Sequence, residues 1–256
     1  MNQSENPAPE AENTPAQGAT GATPDDDSRL FPRVTAYRFR RGGGMRPGQQ
    51  RNWDENWPTY GQNVSDDVVD PEKLFGRSAP LIVEIGSGTG TSTAAMAAVE
   101  PDIDVIAVEV YQPGLAQLLG MVVREELSNV RMIRGDGVDV LKSMIAPDSL
   151  TGVRVFFPDP WPKARHHKRR LLQSGTFELI ASRLQPGGVL HVATDHADYA
   201  EWIGPTGDAE PALERLDATA DVGHVPFSLD RPVTKFEGKG LQEERVIHEF
   251  LWRRRG

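Results

Sequence analysis

Residues 81–90 decide the fold and read Leu81-Ile-Val-Glu-Ile-Gly-Ser-Gly-Thr-Gly90. A short apolar run leads into three glycines within five positions, and an Ala-rich stretch, 91–99, follows. This order predicts a buried strand, a tight turn and a helix. Glycine lets the backbone turn sharply and approach a ligand closely, and the helix N-terminus behind it offers free N–H groups. The stretch therefore predicts a ligand-binding loop at the carboxyl end of a strand.

The alternation of apolar runs and helical segments continues to the C-terminus. Strands are predicted at 103–108, 130–133, 153–157 and 189–194, with a last, antiparallel strand at 246–252. Helices are predicted at 115–123, 138–145 and 171–184, and a turn at 185–188. Strands that are apolar throughout and separated by helices predict an α/β fold with a mostly parallel sheet covered on both faces.

Composition divides the chain into three parts. Residues 1–28 are acidic and Pro-rich with little to bury, so we expect a disordered tail. Residues 29–65 are rich in Arg, Gly and Trp and predict a basic arm with a short helix, in which Trp53 and Trp57 pack onto the domain that follows. Residues 66–256 are expected to form that single α/β domain.

Charge is distributed unevenly along the chain. The net charge of -9 argues against a nucleic-acid partner, but six of the acidic residues lie in 1–27, which has no Lys or Arg. Seven arginines and no acid lie between Arg29 and Arg51, and five Lys/Arg with two His and no acid lie between Lys163 and Arg170. Phosphate binding depends on such local clusters. Two solvated basic faces are the alternative interpretation.

Several classes of protein are disfavoured by what the sequence lacks. There is no cysteine, hence no disulfide framework and no thiolate metal site. His191, His196, His224 and His248 are scattered, so we expect no metal. The N-terminus does not resemble a signal peptide, and no apolar run approaches the ~18 residues that span a bilayer. We expect a cytoplasmic protein without membrane contact.

The glycine spacing separates two classes of nucleotide-binding loop. A dinucleotide fingerprint needs its third glycine at position 91, which is Thr91. Here Gly86, Gly88 and Gly90 follow the pattern G-x-G-x-G, preceded by Glu84. This pattern resembles the first motif of Rossmann-like methyltransferases, whose loop curls round the amino-acid part of S-adenosylmethionine.

Two more acids follow at the ends of the next two predicted strands. Glu109 stands where a carboxylate accepts from both ribose hydroxyls, although a nicotinamide-dependent oxidoreductase would also carry an acid there. Asp136 can bond the exocyclic amine of adenine, as its methyltransferase counterpart does, or cap a turn. Because parallel strands bind ligands at their carboxyl ends, these acids and the glycine loop are predicted to share one crevice.

The fourth strand runs into Phe156-Phe-Pro-Asp-Pro-Trp-Pro-Lys-Ala-Arg-His-His-Lys-Arg-Arg170. Asp159 lies between two prolines, which fix φ on either side and hold its carboxylate in one place. Phe157 and Trp161 can stack on a base or pack in the interior.

The stretch 156–170 closely resembles the tRNA (guanine-N7)-methyltransferase family. Ala193-Thr-Asp195 and Arg231-Pro-Val-Thr-Lys-Phe-Glu237 match the family in the same order, and the resemblance covers about residues 35–253. It implies a class I methyltransferase fold with a seven-stranded sheet, S-adenosylmethionine as methyl donor, and guanine-46 of the tRNA variable loop as acceptor. No obligate protein partner is evident.

The same resemblance implies roles for individual residues. Cofactor contacts fall on Glu84, Glu109, Asp136 and Asp159, beside the glycine loop, and Asp159 is implied to be catalytic. Substrate contacts fall on Lys163, Asp195, Thr234, Lys235, Phe236 and Glu237. Contacts with RNA fall on Arg165, His166, His167, Lys168, Arg169 and Arg170.

Guanine N7 carries a free lone pair, so no proton must leave before it attacks. We therefore expect Asp159 to act by position and charge rather than as a conventional base.

Three alternative functions remain. An oxidoreductase would leave Thr91 and the 156–170 stretch unexplained. A tRNA-binding protein without catalysis is the second, although every acid of the family is present, and the third is a small-molecule methyltransferase, in which the clustered Lys and Arg would have no purpose.

Overall fold

The computed structural model describes residues 44–217, 225–231 and 246–256. The predicted substrate residues Thr234, Lys235, Phe236 and Glu237 lie outside the described residues, as do the acidic tail and most of the basic arm.

Helices and strands alternate along most of the described chain. The strands are β1 (Gly61–Asn63), β2 (Leu81–Ile85), β3 (Asp104–Glu109), β4 (Val130–Arg134), β5 (Leu150–Phe156), β6 (Leu184–Thr194), β7 (Leu213–Leu216) and β8 (His248–Arg254). The α-helices are α1 (Pro47–Tyr60), α2 (Pro71–Phe75), α3 (Thr91–Val99), α4 (Gln112–Arg124), α5 (Gly137–Asp139), α6 (Ser174–Arg183) and α7 (Ala197–Asp208). A π-helix, Val140–Met144, continues α5, and a 3-10 helix spans Ala164–Arg169.

The strands form one sheet in the order β1-β4-β3-β2-β5-β6-β8-β7. The pairs from β1 to β6 are parallel, and β8 inserts antiparallel between β6 and β7. This confirms the predicted, mostly parallel α/β fold with an antiparallel last strand. The sheet has eight strands rather than seven, because β1 adds to its edge by pairing with β4.

Buried side chains cover both faces of the sheet. On one face the core is built with α6, α7 and the π-helix, and includes Phe177 and Tyr199. On the other face α1, α3, α4 and the segment 225–231 pack, and the core includes Trp53, Leu118 and Phe227. These two layers leave the carboxyl ends of the parallel strands to the loops, which is where ligands bind in open α/β sheets.

Helix α1 joins the basic arm to the domain. Trp53 and Trp57 stack with ring centroids 3.9 Å apart, and Trp53 belongs to the core beside α4, which confirms their predicted packing. Gly61 follows directly, and a Cβ there would lie 2.3 Å from the ring of Trp57. Since α1 packs on the domain and β1 extends its sheet, the boundary that composition suggests at residue 65 does not separate two structural units.

Local elements differ from the prediction where glycine and proline lie inside regular structure. The predicted turn at 185–188 is part of β6, although the pairing with β5 shifts register there and Gly187 has φ +83°. Helix α7 contains Gly204, Pro205 and Gly207 and had no clear helical pattern in the sequence. Within the described ranges, no helix combines the length and the apolar character that crossing a membrane requires.

Candidate active site

The glycine loop has a backbone that only glycine adopts readily. Gly86, Gly88 and Gly90 have φ of +80°, +58° and +72°. A Cβ at Gly90 would lie 2.4 Å from the Cβ of Leu118 in α4. The loop is tied to β3, since the N–H groups of Gly86 and Ser87 donate to the carbonyl of Val108 at 2.8 and 3.2 Å. It is therefore preformed, as a ligand cradle at a helix N-terminus requires.

Strand pairing brings the Asp159 loop beside the glycine loop. Strands β2 and β5 are parallel neighbours, with Ile85 opposite Val155. Gly86 directly follows β2 and Phe157 directly follows β5. These two residues lie one and two positions beyond the paired residues Ile85 and Val155. Adjacent strands are about 4.8 Å apart, so both loops leave the same edge of the sheet side by side. Residues 86–90 and the Asp159 loop are therefore neighbours at this edge, and a shared crevice between them stays a prediction.

Glu109 binds the glycine loop from the end of β3. Its carboxylate accepts from the N–H of Gly88 at 2.9 Å, of Val110 at 2.7 Å and of Tyr111 at 2.9 Å. Burial raises the pKa of Glu109, these backbone hydrogen bonds oppose the rise, and the nearby charge of Asp159 adds to it. The two carboxylates therefore lie near enough for the charge of one to affect the other.

Glu84 is a buried acid whose carboxylate can accept further hydrogen bonds. It is 3% exposed, and its pKa is raised by burial, against the opposing effects of the Arg154 charge and the Thr93 hydroxyl. Among the described residues, neither its Oε2 nor the buried Oγ of Ser87 has a hydrogen-bond partner. Unpaired buried oxygens are costly, so they fit a ligand that brings its own donors. The ammonium group of an amino-acid moiety is such a donor.

Asp136 caps the first turn of α5. Its Oδ1 accepts from the N–H of Val138 at 2.9 Å, and the residue is 4% exposed. The capping interpretation is therefore confirmed. A contact between Asp136 and adenine stays a prediction, and the position at the carboxyl end of β4 is compatible with it.

Two strained residues flank Asp159. Phe157 and Trp161 have φ of +49° and +47°, a region that costs bulky residues energy and that clusters at functional sites. The N–H of Phe157 donates to the carbonyl of Ala193 at 2.8 Å, which fixes the start of the loop. Asp159 itself is exposed, and partial burial of its carboxyl raises the pKa above the ordinary value. A rigid, accessible carboxylate results.

The basic run forms a 3-10 helix that begins just after the Asp159 loop. Lys163, Arg165 and Lys168 are exposed. Trp161 links loop and helix, because Arg169 lies over its ring at 5.2 Å and His166 meets its edge at 5.6 Å. Trp161 thus packs against the basic helix rather than in either core cluster, and stacking on a base stays a prediction.

His166 lies among cations. Partial burial lowers its pKa, and the charges of Arg169, Arg165 and Lys163 lower it further. The pKa of His166 is thus lower than that of a free histidine. Its contact with RNA stays a prediction. His167 is half-buried, with its Nε2 3.7 Å from Asp198.

Arg170 differs from its predicted role in RNA binding. Its side chain is 1% exposed and ion-paired with Asp198. It donates to the carbonyl of Pro160 at 2.9 Å and lies over the ring of Tyr199 at 4.8 Å. A guanidinium so enclosed has no face left for a phosphate. We correct the prediction: Arg170 supports the Asp159 loop from inside the domain.

Asp195 follows β6 directly and is half-buried. Because β6 pairs in parallel with β5, Asp195 leaves the same edge of the sheet as the Asp159 loop. The structure thus gathers Glu84, the glycine loop, Glu109, Asp136, Asp159, Asp195 and the basic helix along one edge.

A row of buried charges was missed by sequence reasoning. Glu84, Arg154 and His191 are opposite one another on β2, β5 and β6, and hence point to one face. Arg154 is fully buried and ion-paired to Glu100 at 2.7 Å. A lone Arg within an apolar strand was the available signal, but its partner lies 54 positions away.

Comparison with known proteins agrees with this site. A glycine loop and acids at the carboxyl ends of a parallel sheet are typical of methyltransferases, and the family model described as "Putative methyltransferase" matches residues 78–250. The proteins named tRNA (guanine-N(7)-)-methyltransferase from Corynebacterium jeikeium and Rhodococcus jostii are 56% and 59% identical. The alignments cover 96% and 94% of this chain, and 98% and 92% of those proteins. The chain belongs to the tRNA (guanine-N(7)-)-methyltransferase family.

Arg170 and Lys168 should separate support of the loop from contact with RNA. Arg170→Ala removes a buried guanidinium, its ion pair with the exposed Asp198 and its hydrogen bond to Pro160, so we expect a loss of about 2 kcal/mol in the free energy of unfolding by urea. Lys168→Ala, on the same turn but exposed, should change stability by less than about 0.5 kcal/mol and weaken tRNA binding instead. Equal stability of the two variants would contradict the structural role of Arg170.

Proposed function

We propose that this protein transfers a methyl group from S-adenosylmethionine to N7 of guanine-46 in the variable loop of tRNA. The observation that carries the proposal is the shared edge of β2 and β5, where a preformed glycine loop and the exposed Asp159 lie side by side. The basic helix at 164–169 begins five residues further along the chain. Donor, acceptor and RNA backbone thus each have a surface of suitable chemistry within one crevice. A tRNA substrate also implies a cytoplasmic enzyme.

The methyl donor fits the residues at the ends of β2, β3 and β4. Glu84 and the loop 86–90 would hold its amino-acid part, Glu109 its ribose hydroxyls and Asp136 its adenine amine. Both oxygens of Glu109 already accept backbone N–H groups, but a carboxylate offers about four lone-pair sites, so hydroxyls can still be accepted. S-adenosylmethionine supplies an activated methyl group on a positively charged sulfur.

The acceptor needs alignment more than proton transfer. N7 has a free lone pair, and orientation of two reactants can account for roughly 7–11 kcal/mol of a barrier. Methylation places a positive charge on the base, which a fixed carboxylate stabilises. Asp159, with Asp195 and Glu237, would accept from N1–H and the N2 amine of guanine, a pattern of donors that adenine lacks.

Exposed cations beside the crevice suit the tRNA backbone. Lys163, Arg165 and Lys168 would contact phosphates, and Arg169 is held in place by Trp161. Because a variable-loop guanine engaged in tertiary pairing is not accessible at N7, we expect the base to be partly withdrawn from its stack.

Nucleoside analysis tests the activity directly. The purified chain alone is incubated with a donor labelled in the methyl group and with unmodified tRNA, which is then digested. We expect 7-methylguanosine at a single tRNA position, and substitution of guanine-46 should abolish it. Binding of tRNA without any product would support the non-catalytic alternative, and a different methylated nucleoside would refute the proposed acceptor.

Asp159 should give an acid limb to the pH profile. Because its pKa is raised, its carboxylate is lost at a higher pH than that of an ordinary Asp, so kcat should fall as pH decreases through the raised pKa. Asp159→Asn should lower kcat by about 10²–10³-fold and abolish that limb. Glu201→Gln, an exposed acid on α7, is the control and should retain both. An Asn variant with most of the rate would show that charge is not needed.

The basic arm should contribute to tRNA binding. Removal of residues 1–43 deletes five of the seven arginines and leaves α1 intact on the domain. We expect KM for tRNA to rise roughly tenfold or more, with KM for the donor nearly unchanged. Removal of residues 1–27 takes only the acidic tail and is the matched control. Equal increases in both KM values would argue against a role of the arm in binding RNA.

A further inference from the structure

Arg231 is a buried cation at the point where the described segment 225–231 ends. Its side chain is 5% exposed, and its Nη2 is 2.9 Å from Oε1 of Glu249 on β8. In the sequence it stands directly before the stretch that carries Thr234 and Glu237.

The guanidinium of Arg231 also lies over the Asp159 loop. It is 4.9 Å from the ring centroid of Phe157 and 5.4 Å from that of Phe156. Phe157 has the strained backbone that turns the chain into Pro158 and Asp159. Strain of this kind persists only where surrounding contacts hold it, and Arg231 provides one such contact.

Glu249 stays ionised and pairs with the guanidinium of Arg231. The nearby His191, whose Nε2 lies 3.7 Å from Oε2 of Glu249, and the hydrogen bond from Arg231 lower the pKa of Glu249 to about 2, against the effect of burial. His191 packs edge-on against Phe156 at 4.9 Å, and burial lowers its pKa, so it is neutral at physiological pH. The cluster therefore keeps one carboxylate and one guanidinium throughout the working range of pH.

The segment 225–231 is anchored at its middle as well. The N–H of Ser228 donates to Glu100 at 2.6 Å, and Arg154 donates to the carbonyl of Ser228 at 3.3 Å. Arg154 also lies 4.9 Å over the ring of Phe227. With Ser228 and Arg231 both fixed, the segment presents its end to the Asp159 loop in one position.

We propose that Arg231 is a positioning residue for methyl transfer. Its ion pair with Glu249 and its stacking on Phe156 and Phe157 hold the backbone that carries Asp159 in one position against the segment 225–231. Arg231 touches neither donor nor base, and acts through the relative placement of the two. The inference rests on the proposed function, because it assumes that the Asp159 loop contacts the acceptor guanine.

Kinetics with separate measurements for each substrate test this role. Arg231→Met keeps the volume but removes charge and donors, and misplacement of reacting groups by about 1 Å costs roughly 100-fold in rate. We expect kcat to fall by about that factor while KM for the donor and the affinity for S-adenosylhomocysteine stay within about twofold, since the donor site is built from β2, β3 and β4. Arg231→Lys retains the charge without the planar guanidinium, so it should recover part of the loss.

Glu249→Gln and a matched arginine complete the design. Glu249→Gln should lower kcat by a similar factor, and the double variant Arg231→Met/Glu249→Gln should be no worse than either alone, as expected for one coupled pair. Arg215 also stacks on two aromatic rings, Phe250 and Trp252, and pairs with Asp208, but away from the Asp159 loop. Arg215→Met should therefore cost stability without lowering kcat.

The outcomes distinguish this proposal from the function on which it rests. A wild-type chain that forms no 7-methylguanosine refutes the proposed function and the role of Arg231 with it. An active wild type with unchanged kcat in Arg231→Met refutes the positioning role alone. Loss of kcat in Arg215→Met to the same extent would also refute it, because the effect would then follow stability rather than placement.

Discussion

Three buried or partly buried carboxylates at one edge of a parallel sheet are the constraint on which the site depends. Burial raises the pKa values of Glu84, Glu109 and Asp159. Placing like charges together out of water is unfavourable unless opposite charge compensates. Fixed dipoles compensate in part, since three backbone N–H groups point at Glu109. The negative charge that these dipoles do not compensate favours a cationic ligand. A sulfonium donor is a cation, and a base becomes one on methylation.

The carboxylates at the sheet edge and the cations of the 3-10 helix have opposite charge and lie close together along the chain. A phosphate backbone needs exposed Lys and Arg, whereas the reacting centre needs anions, and the two would neutralise each other if they mixed. The chain separates them by rigid connections. Prolines flank Asp159, Trp161 holds Arg169 and His166, and the buried Arg170 ties the carbonyl of Pro160 to the domain. The 3-10 helix thus presents its exposed cations without reaching into the crevice.

The sequence predicted those features that residues close together in the chain determine. The strand before the glycine loop, the tight turn at Gly86, Gly88 and Gly90, and the parallel order followed from apolar runs and glycine spacing. Arg170 was misjudged because a run of Lys and Arg does not show which member turns inward. Strand β1 and helix α7 were missed because three residues of sheet edge, and a helix with internal Gly and Pro, are stabilised by tertiary contacts rather than by their own pattern.

The buried charge row on the sheet connects the donor end of the site with the acceptor end. Arg154 lies between Glu84 and His191 on adjacent strands, and it is ion-paired to Glu100, which in turn binds Ser228. One cation therefore both counteracts the desolvation of Glu84 and anchors the segment that ends at Arg231. A buried ion pair adds little net stability compared with apolar packing, but it accepts only one geometry. The row is thus better explained by registration than by stability, because it fixes β2, β5 and β6 relative to one another and to the segment 225–231.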